Sequence, residues 1–416
     1  MPQASSIRTS IFLNSHALKL LLFGILASGT ASSADLWLSN AQLIDGTGKT
    51  EIRSVNVRVS GNRIIEITEA SARPGAIDLQ GAFLLPGYID AHAHIEDPAS
   101  AQRALLSGVT TARILGDVYL KGLGTRDLIK QNNVPGPEML VSAGHVRPVL
   151  GESFMLSYPQ FGRYYKTPLK GAENVREVVR AVIARGADVI KVGASERAGL
   201  ASTDPRRPEL SYEEILVAVQ EASKKGLFVA AHSHGQSGVN AAVRAGVRSI
   251  EHGTYVDDET LRLMKKQGTY FVPTLAIMSP LGDPQGSDAE SVALQIRTHH
   301  MMKPLREAVR KAHAMGVVVA GGTDGSYGDG DDSSRVRPGY EMQELIACGL
   351  SPLEAISAMT YNSARVLGIE SRTGSIAVGM EADLQVVARD PRLDTSTLFE
   401  PMLVINNGSV VLNRLN

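Results

Sequence analysis

Apolar and polar positions follow two rhythms along the chain. From Asp35 to about Leu85 the period is two, in Leu36-Trp37-Leu38, Val55-Asn56-Val57-Arg58-Val59 and Arg63-Ile64-Ile65-Glu66-Ile67. Asp45-Gly46 and Gly61-Asn62 punctuate these stretches, which predicts antiparallel strands joined by turns. The same rhythm returns in Ala382–Val387, Met402–Ile405 and Val410–Leu412. Residues 35–85 and 371–416 are therefore expected to form one small β-sandwich from both termini. Between them, residues 86–370 alternate apolar runs with helical patterns. The runs are Leu84–His94, Val109–Gly116, Met139–His145, Val189–Gly193, Phe228–His234, Ser249–Gly253, Tyr270–Pro273 and Val317–Asp324. Helices are expected over Asn174–Arg185, Tyr212–Lys225 and Pro304–Met315, with Gly186, Gly226 and Gly316 where helices close. Alternating strand and helix in eight units predicts an α/β fold, a (β/α)8 TIM barrel; the rival is a doubly wound open sheet.

The first 34 residues are a separate object. Arg8 and Lys19 are the only charges before Asp35, and the apolar run Leu20–Ala27 leads into small residues through Ala34. That order predicts a secretory signal peptide cleaved near Ala34, hence a periplasmic or secreted protein; an anchor or an unstructured tail is the alternative. The run is shorter than the roughly 20 apolar residues that a membrane span needs, so no span is expected in the mature chain. His16 leaves with this segment.

Composition narrows the chemistry. With 43% hydrophobic and 20% charged residues in 416, the chain is globular rather than disordered or fibrous. A net charge of −1, or −3 without Arg8 and Lys19, gives no footprint for nucleic acid. The single cysteine, Cys348, excludes an intrachain disulfide and a cysteine-based metal site. Any metal must be held by His, Asp, Glu or Lys.

Those residue types collect at the ends of the expected strands. His92 and His94 end the first, Lys191 the fourth, His232 and His234 the fifth, His252 the sixth and Asp324 the eighth. In a parallel barrel these ends meet at one mouth. Residues two apart on a strand share a face, so His92 and His94 can grip one ion together. A lone strand histidine is usually a core residue, but four strands presenting His or Asp at equivalent ends form a pattern. Asp90 shares the face of His92 and His94 and is expected to orient one of them. Glu251 is expected to face away from His252 and to serve structure. His145 ends the third strand as a pocket-lining group. His299 and His300 fall in a polar helical stretch, and His313 and Cys348 within helical patterns.

Three runs, Leu85-Pro86-Gly87-Tyr88-Ile89-Asp90-Ala91-His92-Ala93-His94, Ser249-Ile250-Glu251-His252-Gly253 and Thr323-Asp324, resemble the amidohydrolase superfamily of metal-dependent hydrolases. So does the closing stretch Asn362–Gly368 followed by Gly374–Leu384. The likeness is greatest to a prolidase-like branch that includes dipeptidases and ochratoxin-type amidases. The resemblance implies a barrel beside a β-sandwich and two divalent metal ions, usually Zn2+. It puts His92 and His94 on one ion, His232 and His252 on the other, and Lys191 between them, N6-carboxylated by CO2. Asp324 would touch the first ion and handle the proton. Two cations sharing a hydroxide acidify it into a nucleophile near neutral pH, which suits amide hydrolysis.

Loops at the mouth add candidate substrate contacts. Phe154, Tyr158, Phe161, Tyr164 and Tyr165 follow the third strand, Arg197, Arg206 and Arg207 the fourth, and Asp329, Asp331 and Asp332 the eighth. Tyr158, Tyr164 and Arg197 are taken as contacts with His145, Arg197 for a carboxylate; the alternative is that the aromatics pack the loop on itself. His234 is taken as a group polarising the substrate carbonyl, with a third-ligand role left open. The reading is a binuclear amidohydrolase acting on a small-molecule amide of dipeptide or N-acyl amino acid type. Cyclic amide or lactone hydrolysis is the alternative reaction, and a catalytically dead binding protein the alternative class. Homo-oligomers are common for this architecture.

Overall fold

The structure is a computed structural model that describes residues 35–49, 51–69, 74–282, 287–328 and 336–415. The expected signal segment and the stretch with Asp329, Asp331 and Asp332 lie outside the described residues.

The two ends of the chain share one sheet. Its strands are β1 (Leu36–Leu43), β2 (Arg53–Ser60), β3 (Arg63–Thr68), β4 (Ile77–Asp78), β5 (Phe83–Pro86), β14 (Leu384–Val387), β15 (Leu403–Asn406) and β16 (Ser409–Asn413). Their order is β16-β15-β14-β5-β1-β2-β3, with β4 alongside β1. The period of two puts Leu38, Val57, Val59, Ile64, Leu84, Leu384, Val386 and Ile405 on one buried side. Each such residue contributes about 1.5–3 kcal/mol by burial. The expected sandwich is thus a single sheet that curls, because β3 reaches the chain just before β14: Ile64 N–H donates to Met380 O at 2.9 Å.

The middle of the chain forms parallel strands with helices between them. One arc is β6 (Tyr88–Ala93), β7 (Val109–Ile114) and β8 (Glu138–Val141). The other runs β9 (His145–Val146), β10 (Ile190–Gly193), β11 (Val229–Ser233), β12 (Ser249–His252) and β13 (Tyr270–Val272). Both faces of β6, β7, β10, β11 and β12 are buried, which is why their sequences read as continuous apolar runs. The helices carry the local signals their ends need. Ser211 and Glu214 form a capping box on α5 (Tyr212–Ser223), and Gly316 closes α9 (Ala289–Met315) at φ +78.

Three expectations are corrected. The first run divides at Gly87 into β5 and β6, and the third into β8 and β9, which pair with different neighbours. The eighth run, Val317–Asp324, makes no regular ladder: it joins the arcs through isolated bridges, Val319 to Phe271 and Gly325 to Ala93. Gly321 and Gly322 let its backbone pass where side chains would collide; a Cβ on Gly322 would stand 2.8 Å from the His92 nitrogen. The helix expected from Pro304 begins at Ala289 and runs through that proline. Among the described residues no helix is long and apolar enough to cross a membrane.

Candidate metal centre

The ends of β6, β11 and β12 and the Val317–Asp324 segment converge as the strand-end pattern predicted. His92, His94 and Asp324 bring one ligand atom each within 4.8 Å of one another, and His232, His234 and His252 do the same. The groups adjoin: the His92 and His252 rings are 5.3 Å apart, and the His232 and His252 rings 4.5 Å. His234, expected as a substrate contact, sits 4.9 Å from the His232 ring and 4.7 Å from that of His252.

Three of these imidazoles are oriented through Nδ1. His92 Nδ1 pairs with Glu251 Oε2 at 2.9 Å, His234 Nδ1 with Thr254 Oγ1 at 2.9 Å, and His252 Nδ1 with Thr274 Oγ1 at 2.7 Å. A neutral ring that donates from Nδ1 leaves the Nε2 lone pair free, the arrangement a metal-ligating histidine needs. Burial keeps the rings neutral. It depresses His92 to about 4 and His234 to about 3, aided by Lys191, and takes His232 and His252 well below the ordinary range. The threonines form a relay around the mouth: the one following β12 holds His234, just past β11, and the one following β13 holds His252 at the end of β12.

Glu251 corrects the alternation argument. A regular strand would turn Glu251 and His252 to opposite sides, yet both lie against His92. His252 has φ +71, in the left-handed region, so the strand ends there and its ring can turn to the mouth. Glu251 is fully buried, and its Oε1 accepts from Arg113 Nη2 at 2.9 Å and from Ser249 Oγ. Burial opposes its charge, but Arg113 and His92 hold the carboxyl down at about 2. Asp90 does not touch an imidazole as expected. Its carboxylate accepts from the amides of His92 and Thr323 and the hydroxyls of Thr323 and Tyr327, at 2.6–3.1 Å. It thereby fixes the backbone on both sides of the first triplet, next to Asp324 at φ +57.

Lys191 lies under the mouth, 2% exposed, and its Nζ has no hydrogen-bond partner among the described residues. Burial lowers this amine to about 8 despite the pull of Glu251 and Asp324. Asp324 Oδ1 lies 2.7 Å from His94 Nε2 and 3.3 Å from His92 Nε2. Burial opposes its charge too, but His92, His94 and Lys191 hold the carboxyl below its usual range. One set of two imidazoles and a carboxylate, one set of three imidazoles and an orphaned amine beside them fit divalent ions better than any packing role, since buried polar atoms are otherwise satisfied.

The expected substrate contacts divide. His145 is on β9 beside Lys191, its ring 6.1 Å from His232 and its Nε2 without a partner. Arg197 is exposed on the loop after β10. Tyr158 and Tyr164 instead build their loop. The Tyr158 hydroxyl donates to Ala143 O at 2.7 Å, its ring stacks on Phe154 at 4.5 Å, and the Tyr164 hydroxyl accepts from Arg163. Beside His234, whose carbonyl accepts from Tyr255 N–H, a cavity of about 440 Å³ opens between Arg206, Tyr255, Arg297 and His300. His299 and His300 are exposed and Cys348 buried. Sequence reasoning missed Arg113, Thr254 and Thr274; the one signal was a threonine just past each of two strand ends.

Residues 83–411 match the amidohydrolase family. The ochratoxinase of Aspergillus niger is 32% identical over 366 residues, covering 77% of this chain and 73% of that protein. The crystal structure of that ochratoxinase superposes with a TM-score of 0.77 over 91% of this chain and 96% of its own, at 26% identity. A Xaa-Pro dipeptidase with bound methionine in its active site superposes with a TM-score of 0.82 at 27% identity, over 91% of this chain and all of its own.

Proposed function

Because the chain belongs to the amidohydrolase family and is a hydrolase of amide C–N bonds, we propose that it works with two divalent ions on small dipeptide or N-acyl amino acid substrates. The observation that carries this reading is the pair of triplets flanking the unpartnered Lys191. His92, His94 and Asp324 would hold one ion and His232 and His252 the other. Lys191, as a carbamate formed with CO2, would supply an anionic oxygen to each; burial shifts the amine toward the neutral form, which is the form that reacts with CO2. When bound, the ions acidify a water and polarise the amide carbonyl. We take zinc as the metal, since imidazole and carboxylate donors suit it.

The chain's own groups handle the rest. Asp324 accepts the proton that the attacking water gives up and passes it to the departing nitrogen. With the Thr254 hydroxyl donating to its Nδ1, neutral His234 carries its proton on Nε2, unlike His92, and donates it to the substrate carbonyl oxygen as charge develops there. His145 lines the same space from β9, and Arg197 receives the substrate carboxylate from the adjoining loop. We read the two strand arcs as the (β/α)8 barrel of this family, and residues 1–34 as an export signal. Metal analysis of purified protein with a hydrolysis screen tests the reading, using dipeptides, N-acyl amino acids and ochratoxin. Two ions per chain and release of a free amino acid are expected. Fewer than two ions, or no turnover of any member by the metal-replete protein, would refute it.

A further inference from the structure

His252 is fixed by a residue whose own surroundings are unusual. Thr274, which receives its Nδ1 bond, sits at φ +52 immediately before α8 (Leu275–Gly282). A threonine there would ordinarily turn its hydroxyl to an early helix amide. This hydroxyl faces His252 instead, so the first amides of α8 need another acceptor. Glu341 supplies one from the helix Pro338–Ala347. It is fully buried, its Oε2 accepts from Ala276 N–H at 2.7 Å, and Leu275 N–H also bears on the carboxyl group. Its Oε1 has no partner among the described residues, and the charged groups that bear on it, Asp90 and Glu344, are acids. Burial favours the neutral acid.

We propose that Glu341 is a positioning residue for the second ion: by capping α8 from another helix, it frees the Thr274 hydroxyl to set the ring of His252. Glu341 reaches no ligand itself, so its influence passes through residues 275–276 and Thr274. The inference rests on the two-ion reading above.

The test is zinc binding by the purified full chain, measured by chelator competition for wild type, Glu341→Gln, Glu341→Met, Thr274→Val and the Glu341→Met/Thr274→Val double variant. Fewer than two ions on wild type would end the two-ion reading itself. With two bound, E341Q should stay within about threefold of wild type, because its amide oxygen can accept both amides. E341M and T274V should each weaken one ion about 10- to 100-fold, the usual effect of losing an outer-shell partner, and spare the other. The double variant should bind no worse than T274V. Unchanged affinities in E341M, equal loss of both ions in a folded E341M, or multiplying losses in the double variant would overturn the proposal. Should E341M fail to fold, Glu341→Asp serves: it withdraws the carboxyl by one methylene and should weaken the same ion, and unaltered binding there would equally overturn it.

Discussion

Replacing Glu251 by Gln separates stability from metal binding. The carboxylate is fully buried and joins three donors: His92, Arg113 and Ser249. Glutamine keeps the shape but removes the charge that balances Arg113, which is 2% exposed. Breaking one side of a buried ion pair costs about 3–5 kcal/mol. The amide also turns a donor toward His92 Nδ1, which disfavours the tautomer that leaves Nε2 free. Urea unfolding of the metal-free protein should therefore show a loss of about 3–5 kcal/mol, and zinc affinity should fall about 10- to 100-fold. Arg113→Met alone should cost a similar amount of stability. In the Arg113→Met/Glu251→Gln double variant the stability losses should fall short of additive by about 3 kcal/mol, because no unpaired charge remains. The zinc defect should persist in part, because a neutral amide oxygen is a weaker acceptor for His92 than the carboxylate. Additive stability losses, or full recovery of zinc affinity with stability, would refute the reasoning.

Lys191→Ala should bind less metal, with partial rescue by short carboxylic acids; full occupancy measured by elemental analysis would remove its bridging role. Asp324→Asn should keep most metal while turnover falls by about 10²–10⁴; unchanged turnover would remove its proton role. In His234→Asn both ions should remain while kcat drops about 10²–10³; loss of an ion instead would make it a ligand. Asp383 is pushed up to about 6, chiefly by burial, against hydrogen bonds from Asn407 N–H and Thr373. Its folded state favours the proton, so its contribution is full below pH ~4 and is lost as pH rises through about 6. Asp383→Asn should thus gain on wild type by on the order of 3 kcal/mol between pH 4 and pH 7 in urea titrations; a constant difference would refute it.

The clustering of these side chains was legible because they sit at strand ends, where a period of two and a shared mouth convert spacing into geometry. His92, His94, His232, His252 and Asp324 all fell where that logic put them. What failed did so where local backbone departs from ideal strand. The left-handed φ of His252 brought Glu251 and its neighbour to one side. The run Val317–Asp324 does hydrogen-bond to β6 and β13, as in Asp324 N–H to His92 O at 2.7 Å and Phe271 N–H to Val318 O at 3.0 Å, but only as isolated bridges, and Gly322 passes close against His92. The threonines that face His234 and His252 lie about 20 residues along, just past neighbouring strands, and Glu251 lies 159 residues from His92, relations set by three-dimensional register. The loop aromatics were ambiguous because a stacked cluster and a substrate wall share the same composition.

The sheet that joins residues 36–86 to residues 384–413 bears on how the polypeptide is made. Strand β5 hydrogen-bonds to β1 on one side and to β14 on the other, some 300 residues downstream. A growing polypeptide has no β14 to offer until nearly all of it has been synthesised, and distant pairings of this kind form slowly. The amino-terminal strands must therefore wait, with one edge open, until those roughly 300 residues have emerged, and an open strand edge is a template on which another polypeptide can pair.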